Sequence, residues 1–168
     1  MPVPRIDTSC VSLVGLPGTS LAAVAAALGR RLGLAVLDAE RLVEAWYGCP
    51  LDMILKNLGP LEFPRAVETV LGHIAVQHAV IAVGSEALEL PQARQRLRLL
   101  GPVVGLAAAD PAAPPPLGAT AAALLAGRAP AEVVALHRRL LPQWTDTVID
   151  DGADPETLAA RITEWLSA

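Results

Sequence analysis

The sequence has very little lysine, few aromatic residues and no excess of positive charge. Lys56 is the only lysine among 13 Lys and Arg residues, and the aromatic residues are 3 Trp, 1 Tyr and 1 Phe. The 17 acidic residues give a net charge of −4, whereas nucleic-acid-binding proteins normally carry a broad basic face. We therefore expect no nucleic-acid partner, and we expect any site that needs a cation to use arginine.

We also expect neither a membrane-spanning segment nor a secretory leader. No uninterrupted apolar run reaches the roughly 18 residues that a membrane helix needs. The first residues place an acid, Asp7, where a secretory signal has its basic and apolar regions. Cys10 and Cys49 lack the C-x-x-C spacing of a redox or zinc site. We expect a cytoplasmic protein without a membrane partner.

Along the chain, segments with the hydrophobic pattern of strands alternate with segments that have the hydrophobic period of helices. Short apolar runs predict strands at 10–14, 35–37, 79–83, 103–106 and 147–149, and segments of helical period predict helices at 20–32, 39–46, 51–58, 66–78, 91–99, 131–140 and 155–166. Asp38 and Asp154 are predicted helix N-caps. This order is typical of an α/β three-layer sandwich with a five-stranded parallel sheet, in one domain over residues 1–168.

The turn after the first predicted strand has the frame of a phosphate-binding loop. Residues 15–22 read Gly-Leu-Pro-Gly-Thr-Ser-Leu-Ala, against the pattern G-x-x-x-x-G-K-[ST]. Ser20, Leu21 and Ala22 replace the last glycine, the lysine that reaches the phosphates and the hydroxyl that holds Mg²⁺. Two interpretations stay open: backbone N–H groups near Gly15, Gly18, Thr19 and Ser20 still bind an anion, or the segment is an ordinary turn with Thr19 or Ser20 as N-cap.

Several segments together resemble the shikimate kinase family over nearly the whole chain. They include Val11–Gly18 with the loop, the helix ending in 28–33, the turn Leu37-Asp38-Ala39-Glu40, and residues 94–104. The resemblance implies a P-loop kinase fold of nucleotide-binding type and a place in aromatic amino acid biosynthesis. It also implies a lid, here at about residues 107–130, with a proline-rich stretch at 111–118.

The same resemblance assigns roles to a set of residues around a substrate-like cleft. Asp38 and Glu40 stand where the family binds Mg²⁺ and the shikimate hydroxyls, although Asp38 is equally well explained as a helix cap. Arg65 and Arg139 stand near the family's carboxylate-binding arginines, each displaced by one residue. Where the family has a glycine triplet this chain has Gly84-Ser85-Glu86, and a carboxylate at Glu86 repels an anionic substrate unless it faces away or is paired. The predicted cleft therefore contains Asp38, Glu40, Arg65, Gly84, Glu86 and Arg139.

The concerted loss of phosphate chemistry decides the functional prediction. Besides the loop, the family's lid arginine is replaced in Ala122-Ala123-Leu124-Leu125, and phosphoryl transfer depends on such charge-neutralising groups. We predict a catalytically inactive or severely impaired relative, a pseudokinase that binds a small anionic ligand such as shikimate or a protein partner. An active kinase of shikimate or a related acid and a ligand-sensing or scaffold module remain alternatives.

The cofactor prediction follows from the same losses. We expect no cofactor, and Mg·ATP enters only if the kinase alternative holds. Asp38 is the one weak metal candidate. The spacing of His73, His78 and His137 matches no metal site, and we interpret them as ordinary histidines on helix faces.

Overall fold

A computed structural model of the chain describes residues 10–108 and 128–168. Five strands and six α-helices alternate along these residues. They are β1 (Cys10–Gly15), α1 (Leu21–Leu32), β2 (Ala35–Asp38), α2 (Ala39–Tyr47), α3 (Leu51–Gly72), β3 (Ala79–Gly84), a 3₁₀ helix (Ser85–Glu89), α4 (Pro91–Leu100), β4 (Val103–Ala108), α5 (Pro130–Trp144), β5 (Thr147–Asp151) and α6 (Pro155–Ser167). Most of the predicted lid, including residues 111–118, lies outside the described residues.

The sheet is fully parallel, with the strand order β2-β3-β1-β4-β5. This confirms the predicted α/β sandwich with a five-stranded parallel sheet. Strand β1 lies at the centre, and its last residue, Gly15, pairs with Gly84 at the end of β3. The turns that follow β1 and β3 are therefore neighbours at the carboxyl edge of the sheet, which is where open α/β sheets bind ligands.

Apolar side chains cover both faces of the sheet, as a buried parallel sheet requires. Val11 and Leu13 of β1 belong to the core on the side of α1 and α6. Cys10 and Val14 point to the opposite core, which contains side chains of α2, α3 and α4. No helix of the described residues is long and apolar enough to cross a membrane.

Helix α3 consists of two helical segments, as predicted, but no loop separates them. It runs over Leu51–Gly72 with a break at Gly59, whose φ of 77° and ψ of 170° are not helical. Pro60 follows at the start of a helical turn, where its missing N–H costs nothing, so the second half begins earlier than predicted. The helix also ends at Gly72, and the segment up to His78, whose φ is 59°, leads into β3.

Both predicted aspartate N-caps are present. Asp38 accepts hydrogen bonds from the N–H groups of Glu40 and Arg41, and Asp154 accepts one from Thr157. A carboxylate at this position satisfies orphan N–H groups and complements the positive end of the helix dipole. The cap fixes Asp38 at the point where β2 ends and α2 begins.

Candidate ligand-binding cleft

A cleft of about 310 Å³ opens at the carboxyl ends of β1, β2 and β3. The loop after β1 forms one wall, the start of α2 forms another, and the turn after β3 forms the floor. Its lining includes Gly15, Gly18, Thr19, Asp38, Glu40, Gly84 and Glu86, which are seven of the ten residues placed in the site from the sequence.

The loop between β1 and α1 is a compact turn. Gly18 has a φ of 85°, which favours glycine, and the Thr19 hydroxyl donates a hydrogen bond of 2.7 Å to the carbonyl of Leu16. A Cβ atom at Gly15 would overlap the Thr19 hydroxyl oxygen, so the glycine is required by close packing. Gly15 and Gly18 therefore serve the turn itself, whatever the loop binds.

Ser20 faces away from the cleft and toward β5. Its backbone N–H donates to one oxygen of Asp151 at 2.6 Å, and its hydroxyl donates to the other at 2.7 Å. Ser20 is the N-cap residue of α1, yet its side chain makes no capping bond because the hydroxyl is held by Asp151. A carboxylate of the chain thus occupies donors at the helix end that the motif aims at phosphate.

Three carboxyl groups line the cleft. Burial raises the pKa of Glu86 to about 7, a hydrogen bond from its own N–H opposes this shift, and the nearby charges of Glu40 and Asp38 add to it. Partial burial and the neighbouring Asp38 and Glu44 also raise the pKa of Glu40. Among the residues that the structure describes, no Lys, Arg or His lines this cleft.

Glu86 sits on the floor of the cleft and packs against Gly84. Its relative exposure is 7%, and a Cβ atom at Gly84 would overlap both carboxyl oxygens. Its only hydrogen bond within the described part of the chain comes from its own backbone N–H. The sequence left open whether this carboxyl group is paired or faces away from the cleft. In the structure it faces the cleft, and no other described residue pairs with it.

The predicted carboxylate-binding arginines are not brought to the cleft. The Arg65 side chain is 77% exposed and pairs with Glu62 at 3.0 Å on the solvent face of α3. Arg139 is exposed on α5. Helical phase explains both positions, since α3 and α5 turn their apolar sides, including Val67 and Leu141, to the sheet.

Arginines from elsewhere in the fold do not replace the missing loop lysine. Arg30 pairs with Glu156 at 2.5 Å on the surface between α1 and α6. Arg128 binds Glu89 through both terminal nitrogens, at 3.0 and 3.2 Å. Arg138 is exposed on α5.

One polar network was missed by sequence reasoning. His137, interpreted as an ordinary helix-face residue, is 0% exposed. Its Nδ1 lies 2.8 Å from the Ser85 hydroxyl and its Nε2 lies 2.6 Å from Glu89. Burial opposes ionisation of Glu89, but hydrogen bonds and charge from Arg128 and His137 outweigh it and lower the pKa of Glu89.

The tautomer of His137 follows from this arrangement. Because the Glu89 carboxylate only accepts hydrogen bonds, Nε2 carries a proton and donates it to Glu89. Nδ1 then accepts from the Ser85 hydroxyl in the neutral ring. The network ties α5 to the turn below the cleft, and no spacing signal reveals it, because Ser85 and His137 are 52 residues apart.

The residues of the cleft do not fit Mg·ATP. A triphosphate needs cations and free backbone N–H groups, whereas the wall beside the loop has Leu21 and Ala22 and the floor has Glu86. Asp38 and Glu40 are the acids nearest to a metal site, but the described residues contain no group of three or more His, Cys, Asp or Glu side chains placed to hold a metal ion.

The parallel sheet and the loop after β1 define a P-loop kinase fold. Comparisons with known proteins identify the family. The shikimate kinase of Salinispora arenicola is 34% identical over 166 residues, which cover 95% of this chain and 98% of that protein. The shikimate kinase of Salinispora tropica is 32% identical over 164 residues, covering 94% and 96%. This chain therefore belongs to the shikimate kinase family. No protein-family model matches it.

Solved structures agree on the fold. The shikimate kinase from Acinetobacter baumannii in complex with shikimate matches with a TM-score of 0.74 and 20% identity, over 98% of this chain and 97% of that one. The shikimate kinase from Bacteroides thetaiotaomicron matches with a TM-score of 0.70 and 16% identity, over 95% and 99%. At these identities the likeness extends to the fold alone.

Proposed function

We propose that this member of the shikimate kinase family is a catalytically inactive or severely impaired kinase that binds a small hydroxylated ligand in the cleft. The observation that carries the proposal is the charge of the site. Three carboxyl groups line the cleft, its described lining has no basic side chain, and Asp151 holds the N-cap of α1. Phosphoryl transfer needs the opposite arrangement, because cations must neutralise the negative charge of the transferred phosphoryl group and of the leaving phosphate.

Three further features support the loss of activity. Leu21 and Ala22 supply neither a cation nor a metal ligand, and Ser20 directs its N–H away from the cleft. Such groups act as a unit, so the expected loss is several orders of magnitude rather than the sum of small effects.

The ligand is proposed from the fold and from the solved complex. The Acinetobacter baumannii protein was solved with shikimate, which supports a small hydroxylated ring as the ligand class. The oxygens of Asp38 and Glu40 at the cleft wall are suitable acceptors for ring hydroxyl groups. Such a protein would sense or carry its ligand without nucleotide.

The direct test is ATP-dependent turnover. ADP release is measured with Mg·ATP and shikimate, with the Salinispora arenicola shikimate kinase as positive control under the same conditions. We expect a rate at least about a thousandfold below that control. Comparable rates for the two proteins would overturn the proposal.

A repaired loop provides a matched variant. Replacing Ser20→Gly, Leu21→Lys and Ala22→Ser together with Asp151→Asn restores the motif and removes the competing carboxylate. We expect this variant to bind Mg·ATP in calorimetry while the unaltered chain does not. Absence of binding by both would show that the altered loop is not what prevents nucleotide binding, and equal binding by both would show that the unaltered loop still accepts nucleotide.

An active kinase is the second candidate. It is favoured by the identity of 34% to a protein named shikimate kinase over nearly the full length of both chains. It requires an arginine to enter the loop on substrate binding. The turnover assay above distinguishes the two candidates.

A further inference from the structure

The charge of the cleft also indicates which ligand it selects. From its lining we infer that the cleft binds a hydroxylated organic cation, such as an amine on a polyol ring, in preference to the corresponding acid, with Glu86 as the group that contacts the cation. The inference rests on the proposed function, because a working kinase would need the same space for Mg·ATP and an anionic substrate.

Glu86 is a buried acid without a partner from another described residue. Only 7% of the surface of Glu86 is exposed, and its side chain faces the cleft. Buried carboxyl groups are normally paired or hydrogen-bonded to other groups, because isolation in a medium of low polarity is costly. Its only donor in the described residues is its own N–H. A ligand cation would supply the missing partner.

The surroundings of Glu86 are acidic. Asp38 and Glu40 lie close enough to raise the pKa of Glu86, so the ionised carboxylate is repelled by its neighbours as well as desolvated. An ammonium or guanidinium group placed among the three acids reverses both effects. A ligand carboxylate placed there would add a fourth negative charge, and the two arginines expected to hold it lie on exposed helix faces.

The shape and remaining chemistry of the cleft suit a hydroxylated ring. Its volume of about 310 Å³ suits a six-membered ring with substituents. Asp38 and Glu40 on the wall are acceptors for ring hydroxyl groups. A hydroxylated ring with one amine therefore matches acceptors on the wall and a carboxylate on the floor. A metal ion does not, since the described residues contain no cluster of ligands for one.

Three ligands that share one ring test the inference. They are shikimate, its methyl ester and the aminomethyl analogue, in which –CH₂NH₃⁺ replaces the carboxylate, so the charge is −1, 0 and +1. Binding is measured by isothermal titration calorimetry at pH 7.5 without nucleotide. We expect the amine to bind roughly tenfold or more tightly than the ester, as one partly desolvated charge pair implies, and shikimate to bind most weakly.

A matched pair of variants assigns the preference to Glu86. Glu86→Gln keeps the shape and removes the charge, and we expect the preference for the amine over the ester to fall to about fivefold or less, the level that exposed acids provide. Glu164→Gln removes an exposed acid on α6 and should leave the preference unchanged. Circular dichroism and thermal unfolding confirm that both variants are folded.

The outcomes separate this inference from the proposed function. Tighter binding of shikimate than of the amine, or no binding of any of the three at millimolar concentration, overturns the inference. An unchanged preference in Glu86→Gln overturns the assignment to Glu86. ADP release from Mg·ATP and shikimate at the rate of an active kinase instead overturns the proposed function, and it is measured in a separate assay.

Discussion

Asp151 binds Ser20 through both of its carboxyl oxygens, joining the end of β5 to the start of α1 across 131 residues of sequence. The contact uses the backbone N–H at the position where the loop motif has its last glycine. It also uses the hydroxyl that serine provides and glycine does not. The substitution at Ser20 and the carboxylate at Asp151 therefore form one structural unit, in which the chain supplies its own anion to the helix end.

Removing this carboxylate should destabilise the fold. We expect Asp151→Ala to lower the free energy of unfolding by about 1–3 kcal/mol, because it leaves two partly buried donors of Ser20 without their charged acceptor. Asp150→Ala is the matched control, since Asp150 is exposed and should change stability by roughly 0.5 kcal/mol or less. Urea unfolding of the two variants measures the difference. Equal losses would mean that the contact with Ser20 contributes nothing specific.

The buried network around His137 gives a second prediction. His137→Ala leaves a cavity, removes the partner of Ser85 and removes one of the two partners of Glu89, so we expect a loss of about 2–4 kcal/mol. His73→Ala is the comparison, because the His73 ring is exposed, bonds a helix carbonyl and lies 5.9 Å from the Trp46 ring, so the loss should be roughly 0.5 kcal/mol. Thermal unfolding of both variants at pH 7 measures this. A similar midpoint for the two would contradict the structural role of His137.

The sequence was sufficient for the fold because apolar period and cap chemistry are local signals. The five short apolar runs predicted the strands, and the aspartates at 38 and 154 predicted two helix starts correctly. Strand ends were missed by one or two residues, since Gly15, Asp38 and Asp151 continue the ladder without an apolar side chain. The break in α3 at Gly59 confirms the predicted end of the first segment at residue 58, whereas the second segment begins earlier than the predicted residue 66.

The cleft was only partly predictable for a different reason. Loop and strand-end residues such as Gly18, Asp38 and Glu86 are fixed by the sheet, so their order in the sequence places them together. The position of an arginine on a long helix depends on helical phase, and Arg65 was assigned by resemblance without it. The burial of His137 depends on a contact between two distant segments that no local pattern encodes.

The packing of Gly84 against Glu86 gives a third prediction. Gly84→Ala places a methyl group where the Glu86 carboxyl group lies, so we expect a destabilisation of about 1–3 kcal/mol. In a Glu86→Ala background that overlap is absent, and Gly84→Ala should lower the free energy of unfolding much less. A double-mutant cycle by urea unfolding gives the coupling between the two positions. A coupling of zero would show that the Gly84 substitution acts through something other than the carboxyl group.

The raised pKa of Glu86 makes stability depend on pH. In the folded protein its pKa is about 7, whereas the ordinary pKa of a glutamate is 4.5, so between these values the folded state keeps a proton that the unfolded state has released. The contribution of the protonated carboxyl group is therefore fully present below about pH 4.5, and it is lost as pH rises through about 7. The full difference amounts to about 3 kcal/mol, taking about 1.4 kcal/mol for each pH unit.

Comparison with a variant isolates this effect from other titrating groups. Glu86→Gln cannot ionise, so the stability of the unaltered chain relative to this variant should fall steadily from pH 5 to pH 7 and level off near pH 8. Urea unfolding at pH 5, 6, 7 and 8 measures the two curves, and Glu164→Gln should keep the slope of the unaltered chain because its carboxyl group is exposed. Parallel curves for the unaltered chain and Glu86→Gln would place the pKa of Glu86 near its ordinary value. That result would also mean that Glu86 has no electrostatic cost for a bound cation to relieve. We therefore expect a protein that lacks the pH dependence of stability to lack the preference for a cationic ligand as well.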